Sequence, residues 1–166
     1  SLPAALAKTG MDVRVVMPLY SAISPAWRQQ MKEEKIFYVN LAWRHQYCGV
    51  YSLTKDGVTY YFIDNEYYFK RGALYGHGDD GERYAFFSRA VVSLLPSLDW
   101  MPDVVHCNDW QSALVPIYIK DDDNVDDNLR LKYRYLDLRN PALHKNIVFR
   151  SQVISFLRRQ MEELGF

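Results

Sequence analysis

The sequence predicts an α/β fold on three observations. Runs of β-forming residues alternate with stretches of helical periodicity, an Asp-Gly pair separates two strand-like runs, and Gly or Pro punctuates the element ends. Helix, strand, helix, strand, helix is the alternation that builds a parallel sheet with helices packed on it.

The elements follow in order. Leu2, Ala5 and Leu6 form one helical face, and Gly10 supplies the stop. The run 12–18, Asp-Val-Arg-Val-Val-Met-Pro, reads as a short strand bounded by Gly and Pro. Tyr47 to Leu53 and Val58 to Ile63 flank Lys55-Asp56-Gly57, where Asp-Gly supplies the positive φ values of a tight hairpin turn. From Glu82 to Leu95 the chain reads as a helix, with Tyr84, Phe87, Val91 and Leu94 at helical spacing until Pro96 ends it. Asp103 to Cys107 is expected to be a buried strand. Asn108 or Asp109 then caps a helix running from Trp110 to Lys120 through a side-chain oxygen on its first free N–H groups.

Composition bounds the classes. With 166 residues, 49% hydrophobic and 24% charged, the chain is long enough for one domain, or one and a fragment. No apolar run approaches the roughly 20 residues of a spanning helix, and Ser1-Leu2-Pro3-Ala4 lacks the order of a signal peptide, so a cytoplasmic protein without a membrane partner is expected. Twenty basic residues balance twenty acidic ones, which gives no field to recruit nucleic acid or anionic lipid. Cys48 and Cys107 lie in apolar surroundings without a second Cys or His at zinc-ligand spacing and are expected as buried free thiols. Aromatic residues make up 15%, thirteen of them Tyr and four Trp. Sugar sites use such rings because pyranose C–H groups pack on the ring face while a hydroxyl or indole N–H makes a hydrogen bond. Strands and core edges use them too.

The character changes near residue 120. Residues 121–128 carry five carboxylates without a hydrophobic anchor and read as a solvated linker. Beyond them no Trp occurs, and Ile147, Ile154, Leu157, Met161 and Leu164 mark one amphipathic helix closed by Gly165. The expected organisation is a domain over 1–120, an acidic linker and extended segment over 121–142, and a helix over 143–166.

Several local motifs in the first part are similar, in order, to those of bacterial glycogen (starch) synthases of the ADP-glucose type. They are Ser1 to Leu6 with Gly10 and residues 12–20 (DVRVVMPLY), then Tyr60 to Phe69 with Leu74-Tyr75-Gly76, then residues 80–90 (DGERYAFFSRA), then His106 to Leu114 (HCNDWQSAL). Together they cover most of 120 residues. The tail, from Asp122 through Asn128 to Pro141 and on through Phe149-Arg150-Ser151 to Phe166, resembles bacterial aspartyl-tRNA synthetase, where this piece links the anticodon-binding barrel to the catalytic domain. The change of resemblance implies a chimera, a gene-assembly join or a wrongly predicted gene, with the boundary near residue 120.

The first resemblance implies an incomplete Rossmann-like N-terminal domain of the GT-B type. It implies transfer of glucose from ADP-glucose to an α-1,4-glucan with retention of configuration, with no cofactor and no obligatory metal. Such an enzyme must hold a diphosphate, orient the glucose and stabilise positive charge at the anomeric carbon. In an open α/β sheet these groups gather beyond the carboxyl ends of the strands, where His106, Asn108, Asp109 and Trp110 are placed.

By resemblance, Asp109 is the candidate catalytic residue, contacting the donor sugar, and a helix cap is its equal alternative. Tyr75, in a glycine-rich loop, matches a tyrosine of the sugar-nucleotide cleft, and a solvated surface loop explains it equally. His106 is a substrate contact rather than a proton carrier. Trp110 is either a sugar platform or core. Lys8-Thr9-Gly10 has the letters of the family's phosphate-binding triplet but falls at the end of the first helix, so that role is not carried over. The resemblance places the phosphate loop before Ser1 and the C-terminal GT-B domain outside the 166 residues, so the chain alone is expected to be inactive. In the tail, Arg134, Arg139 and Arg150 stand without class II motifs 2 or 3, so no aminoacyl-adenylate site is expected. A translation-enzyme fragment and a non-catalytic glucan-binding remnant are the alternative functions.

Overall fold

The first three apolar runs that read as strands do pair, but into a mixed sheet rather than a parallel one. In the computed structural model, which describes residues 1–121, the elements are α1 (Leu2–Ala7), β1 (Val13–Pro18), α2 (Pro25–Arg28), β2 (Lys32–Leu41), β3 (Arg44–Lys55), β4 (Val58–Asp64), α3 (Glu66–Phe69), α4 (Asp80–Leu94) and α5 (Val115–Asp121). These residues fall within one compact unit. The acidic run, the tail helix and Arg134, Arg139 and Arg150 lie outside the described residues.

The sheet order is β1-β4-β3-β2. Only β1 and β4 run parallel, with Val13 opposite Val58 and Pro18 opposite Ile63. β2, β3 and β4 form an antiparallel meander. The β3–β4 turn is the expected Asp-Gly hairpin, with φ of 52° at Asp56 and 75° at Gly57. The β2–β3 turn uses Ala42 and Trp43 between the paired Leu41 and Arg44, with φ of 51° at Ala42. α1 ends as expected at Lys8, Thr9 Oγ1 donates to the Leu6 carbonyl at 2.7 Å, and Gly10 takes φ 88°. Lys8-Thr9-Gly10 is thus a helix end.

Alternation decides which side chains are core. Val39, Cys48, Val50 and Ile63 are buried on one sheet face, while Tyr38, half-exposed beside Tyr47, lies on the other. α4 packs across β2 and β4 and buries Tyr84, Phe87, Val91 and Leu94, the expected stripe, together with Phe86, Ala90 and Val92. That wider burial follows from its position, since α5 and the turn before it cover α4 as well.

Two expectations are corrected. Asp103 to Cys107 is not a strand, and Val104 is 66% exposed. A strand requires a second backbone to complete its ladder, and among the described residues none pairs with this run. The helix expected from Trp110 to Lys120 is a 3₁₀ turn, Trp110–Ser112, followed by α5. Pro116 explains the break: it has no N–H to donate and its ring clashes with the carbonyl four residues back, so a helix restarts with Pro in its first turn.

Candidate functional site

The loops that leave the carboxyl end of β1, precede α4 and precede the 3₁₀ turn meet at the ring of Tyr84. Tyr84 lies in the first half of α4 and is 3% exposed. Its hydroxyl donates to the Leu74 carbonyl at 2.6 Å. With that proton committed, Tyr20, just past β1, is the donor in the 3.0 Å contact between the two hydroxyls. Burial, then the hydrogen bond to Tyr84, pushes the Tyr20 hydroxyl well above its ordinary pKa. The edge of the Trp110 ring meets Tyr84 at 4.8 Å between centroids and 79° between planes. One aromatic ring therefore ties the segments that carry Tyr75 and Trp110.

Arg83 fixes the Tyr75 loop from below. Fully buried, it donates from Nε to the Tyr68 carbonyl at 2.7 Å, from one Nη to the Leu74 carbonyl at 3.3 Å, and from the other to Asp80. Asp80 accepts in turn from the N–H groups of Gly76 at 2.5 Å and His77 at 3.1 Å. Burial alone would raise the Asp80 carboxyl, but the Gly76 N–H, the Arg83 guanidinium and the His77 N–H outweigh it and hold the group below the usual carboxylate range. Tyr75 itself is 60% exposed. The loop is pinned at its backbone while its aromatic side chain faces out.

Asp109 is the cap that the sequence leaves open, in an unusual form. Its Oδ1 accepts from the Trp110 N–H at 2.7 Å, and its backbone sits at φ 58°, ψ −176°, conformational space occupied almost wholly by glycine. The side chain is exposed and, among the described residues, is in no ion pair. Trp110 is 46% exposed, so one edge packs on Tyr84 while part of the indole remains open.

His106 lines a hollow in which Asp109, Trp110 and Tyr75 take no part. Its Nε2 lies 3.1 Å from Asn108 Oδ1, and the residue lines a mostly apolar cavity of about 130 Å³ bounded by Val16, Val91, Trp100 and Cys107. Cys48 is buried as expected, and burial pushes its thiol up to about 12; Cys107 is only half-buried, which corrects the expectation of two buried thiols.

The sequence reading missed Tyr20, Tyr84, Arg83 and Asp80 as site-building residues. The signal was present: a Tyr and an Arg adjacent in α4 cannot both be solvated when the helix buries most of its circumference. A second polar hollow, about 300 Å³ and also missed, lies at the carboxyl ends of β1 and β4, where Ser21, Arg28, Asp64, Glu66 and Lys70 line it. Burial and then the nearby Glu66 raise the Asp64 carboxyl there.

Residues 1–135 match the family described as the starch synthase catalytic domain, and residues 126–166 match class II tRNA synthetases (D, K and N). A glycogen synthase of Geobacillus thermodenitrificans is 46% identical over 149 residues, which is 90% of this chain and 30% of that protein. One from Halalkalibacterium halodurans is 54% identical over 120 residues, 72% of this chain and 25% of the relative. Among solved structures, the catalytic domain of starch synthase IV from Arabidopsis thaliana, bound to ADP and acarbose, superposes with a TM-score of 0.66 at 26% identity over 78% of this chain and 27% of that one. The chain thus spans about a third of the length of the curated relatives it matches. A match over most of its residues, together with a shared fold, shows that the chain belongs to the starch synthase catalytic domain family.

Proposed function

We propose that residues 1–121 are the part of an ADP-glucose-dependent glucan synthase that shapes the sugar cleft from the N-terminal side. In this reading Asp109 accepts a hydroxyl hydrogen bond from the donor glucose, Tyr75 and the open part of Trp110 supply packing faces, and His106 is a peripheral contact. The reaction is transfer of glucose from ADP-glucose to the end of an α-1,4-glucan with retention of configuration. A cytoplasmic location, and completion of the cleft by a C-terminal GT-B domain, belong to the same proposal.

The observation that carries it is the convergence on Tyr84: three loops at one end of the sheet present Tyr75, Trp110 and an exposed Asp109 held in a glycine-like conformation. Exposed polar and aromatic groups on a pinned backbone suit a ligand more than a core. The 166 residues match about a third of the length of a relative, and in this reading the other domain closes the site, where positioning is worth several kcal/mol of a barrier. The isolated chain is therefore expected to transfer no labelled glucose from ADP-glucose to glycogen above a heat-killed control. Turnover would contradict that.

A second reading attaches to residues 126–166 alone. Their match to class II tRNA synthetases (D, K and N) supports descent from that class, and an aspartate-specific parent is the finer part of this reading. No aminoacylation of tRNA by this chain is expected.

A further inference from the structure

We propose that Arg44, at the start of β3, is a positioning residue that holds both ends of the loop carrying Tyr75 and so sets where that ring stands. The consequence for substrate rests on the reading of Tyr75 as a sugar-nucleotide contact; the hold on the loop does not.

Arg44 pairs with Leu41 across the β2–β3 turn, so its backbone belongs to the sheet. Its side chain leaves the sheet and meets the chain on both sides of residues 70–79. On the far side, in the first turn of α4, Glu82 Oε1 lies 2.7 Å from Arg44 Nε. On the near side, in α3, the Tyr67 ring has the guanidinium carbon of Arg44 5.8 Å from its centroid and that of Arg71 at the same distance. Arg71 in turn donates to the Tyr67 carbonyl and to Asp79, the residue that precedes α4, both at 2.8 Å. One cation from the sheet thus brackets the loop that carries Tyr75.

Glu82 carries that hold inward. The same Oε1 accepts from the Tyr68 hydroxyl at 2.5 Å. Tyr68 is fully buried, with its ring tilted on Phe86 at 4.8 Å, its N–H donating to Asn65 Oδ1 at 3.1 Å and its carbonyl accepting from Arg83 Nε at 2.7 Å. Arg83 is also the side chain that grips the Leu74 carbonyl, one residue before Tyr75. An unbroken path of contacts therefore runs from Arg44 through Glu82, Tyr68 and Arg83 to Leu74. The first link is charge rather than direction: the Arg44 Nε–H is buried yet, among the described residues, makes no aligned hydrogen bond, and only the attraction of guanidinium for carboxylate holds the pair. Without that cation water competes for the partly exposed Glu82, and the Tyr68 hydroxyl loses its fixed acceptor.

The test is hydrogen exchange of the full 166-residue chain, read at the amides of residues 74–77. Arg44→Met keeps most of the side chain and removes the charge. It should speed exchange there about fivefold, within the coupling range of residues that share one network, while the melting temperature and the amides of β1 and β4 stay put. Arg44→Lys should restore the wild-type rate, since charge is what the link needs. Lys32→Met, which breaks the exposed pair with Glu34 on the same hairpin, should change nothing. In a hybrid synthase carrying residues 1–120, Arg44→Met should raise KM for ADP-glucose about fivefold with kcat nearly unchanged, the mark of lost binding rather than lost chemistry, and should add nothing in a Tyr75→Ala background. Unchanged exchange at 74–77, acceleration spread evenly over the sheet with a lowered melting temperature, failure of Arg44→Lys to restore the rate, or a full KM penalty on top of Tyr75→Ala would each overturn the positioning role. A hybrid that transfers no glucose contradicts the reading of the cleft instead, and the exchange rates then decide the role of Arg44 by themselves.

Discussion

Asp109 combines two properties that rarely coincide, a strained backbone and an exposed carboxylate. The strain costs about 1–3 kcal/mol and must be held by the surrounding turn. Three substitutions in a hybrid synthase carrying residues 1–120 separate cap, strain and charge. Asp109→Asn keeps the acceptor for the Trp110 N–H and removes the charge, so transfer should fall while melting barely moves. Asp109→Ala loses both and should cost about 1 kcal/mol of stability. Asp109→Gly loses both but relieves the strain, and should melt above the Ala variant. If Asn leaves transfer and melting untouched while Ala lowers melting alone, Asp109 is only a cap.

Arg83 and Asp80 make a prediction about acid. The folded Asp80 pKa lies below the unfolded value near 3.9, so its contribution is present above about pH 4 and is lost as pH falls through the folded pKa. Hydrogen exchange at Gly76 and His77 should accelerate over that window relative to distant amides, and Asp80→Asn should flatten the dependence. Arg83→Met removes the buried donor that the Tyr68 carbonyl, the Leu74 carbonyl and Asp80 share, and breaks the ion pair with Asp80, and should cost about 3 kcal/mol. A thermal melt unchanged in Arg83→Met would show that the loop is held by something else.

At the scale of elements, the hairpin between β3 and β4 was legible because Asp56-Gly57 has one economical conformation. A Cβ on Gly57, at φ 75°, would meet only Ala7 Cβ at an ordinary 3.8 Å, so Gly57→Ala tests backbone strain almost alone and should cost about 1 kcal/mol in chemical denaturation. A neutral result would mean the turn relaxes. β2 was not legible. Its first three residues are Lys-Glu-Glu, its apolar run from Ile36 to Val39 does not alternate in polarity, and Ala42-Trp43 gives no turn signal. The run 103–107 shows the opposite error, because β-forming residues describe a preference and only a neighbouring backbone makes a strand. The motif from His106 to Trp110 was legible as a motif, yet what organises the loops around it, Tyr84, Tyr20 and Arg83, depends on backbone and hydroxyl contacts 9 to 64 residues apart in sequence. No local pattern encodes those.

At the scale of the molecule, the three loops that meet at Tyr84 are what residues 1–121 bring to the proposed cleft, and the relative from Geobacillus thermodenitrificans is about three times as long as the stretch it shares with this chain. The most direct test exchanges residues 1–120 of this chain for the matching stretch of the Halalkalibacterium halodurans glycogen synthase, 54% identical to it, and measures glucose transfer from ADP-glucose to glycogen. A folded hybrid that transfers glucose, and loses transfer on Asp109→Asn, is the predicted result. A hybrid that melts cooperatively but transfers nothing would contradict the assignment.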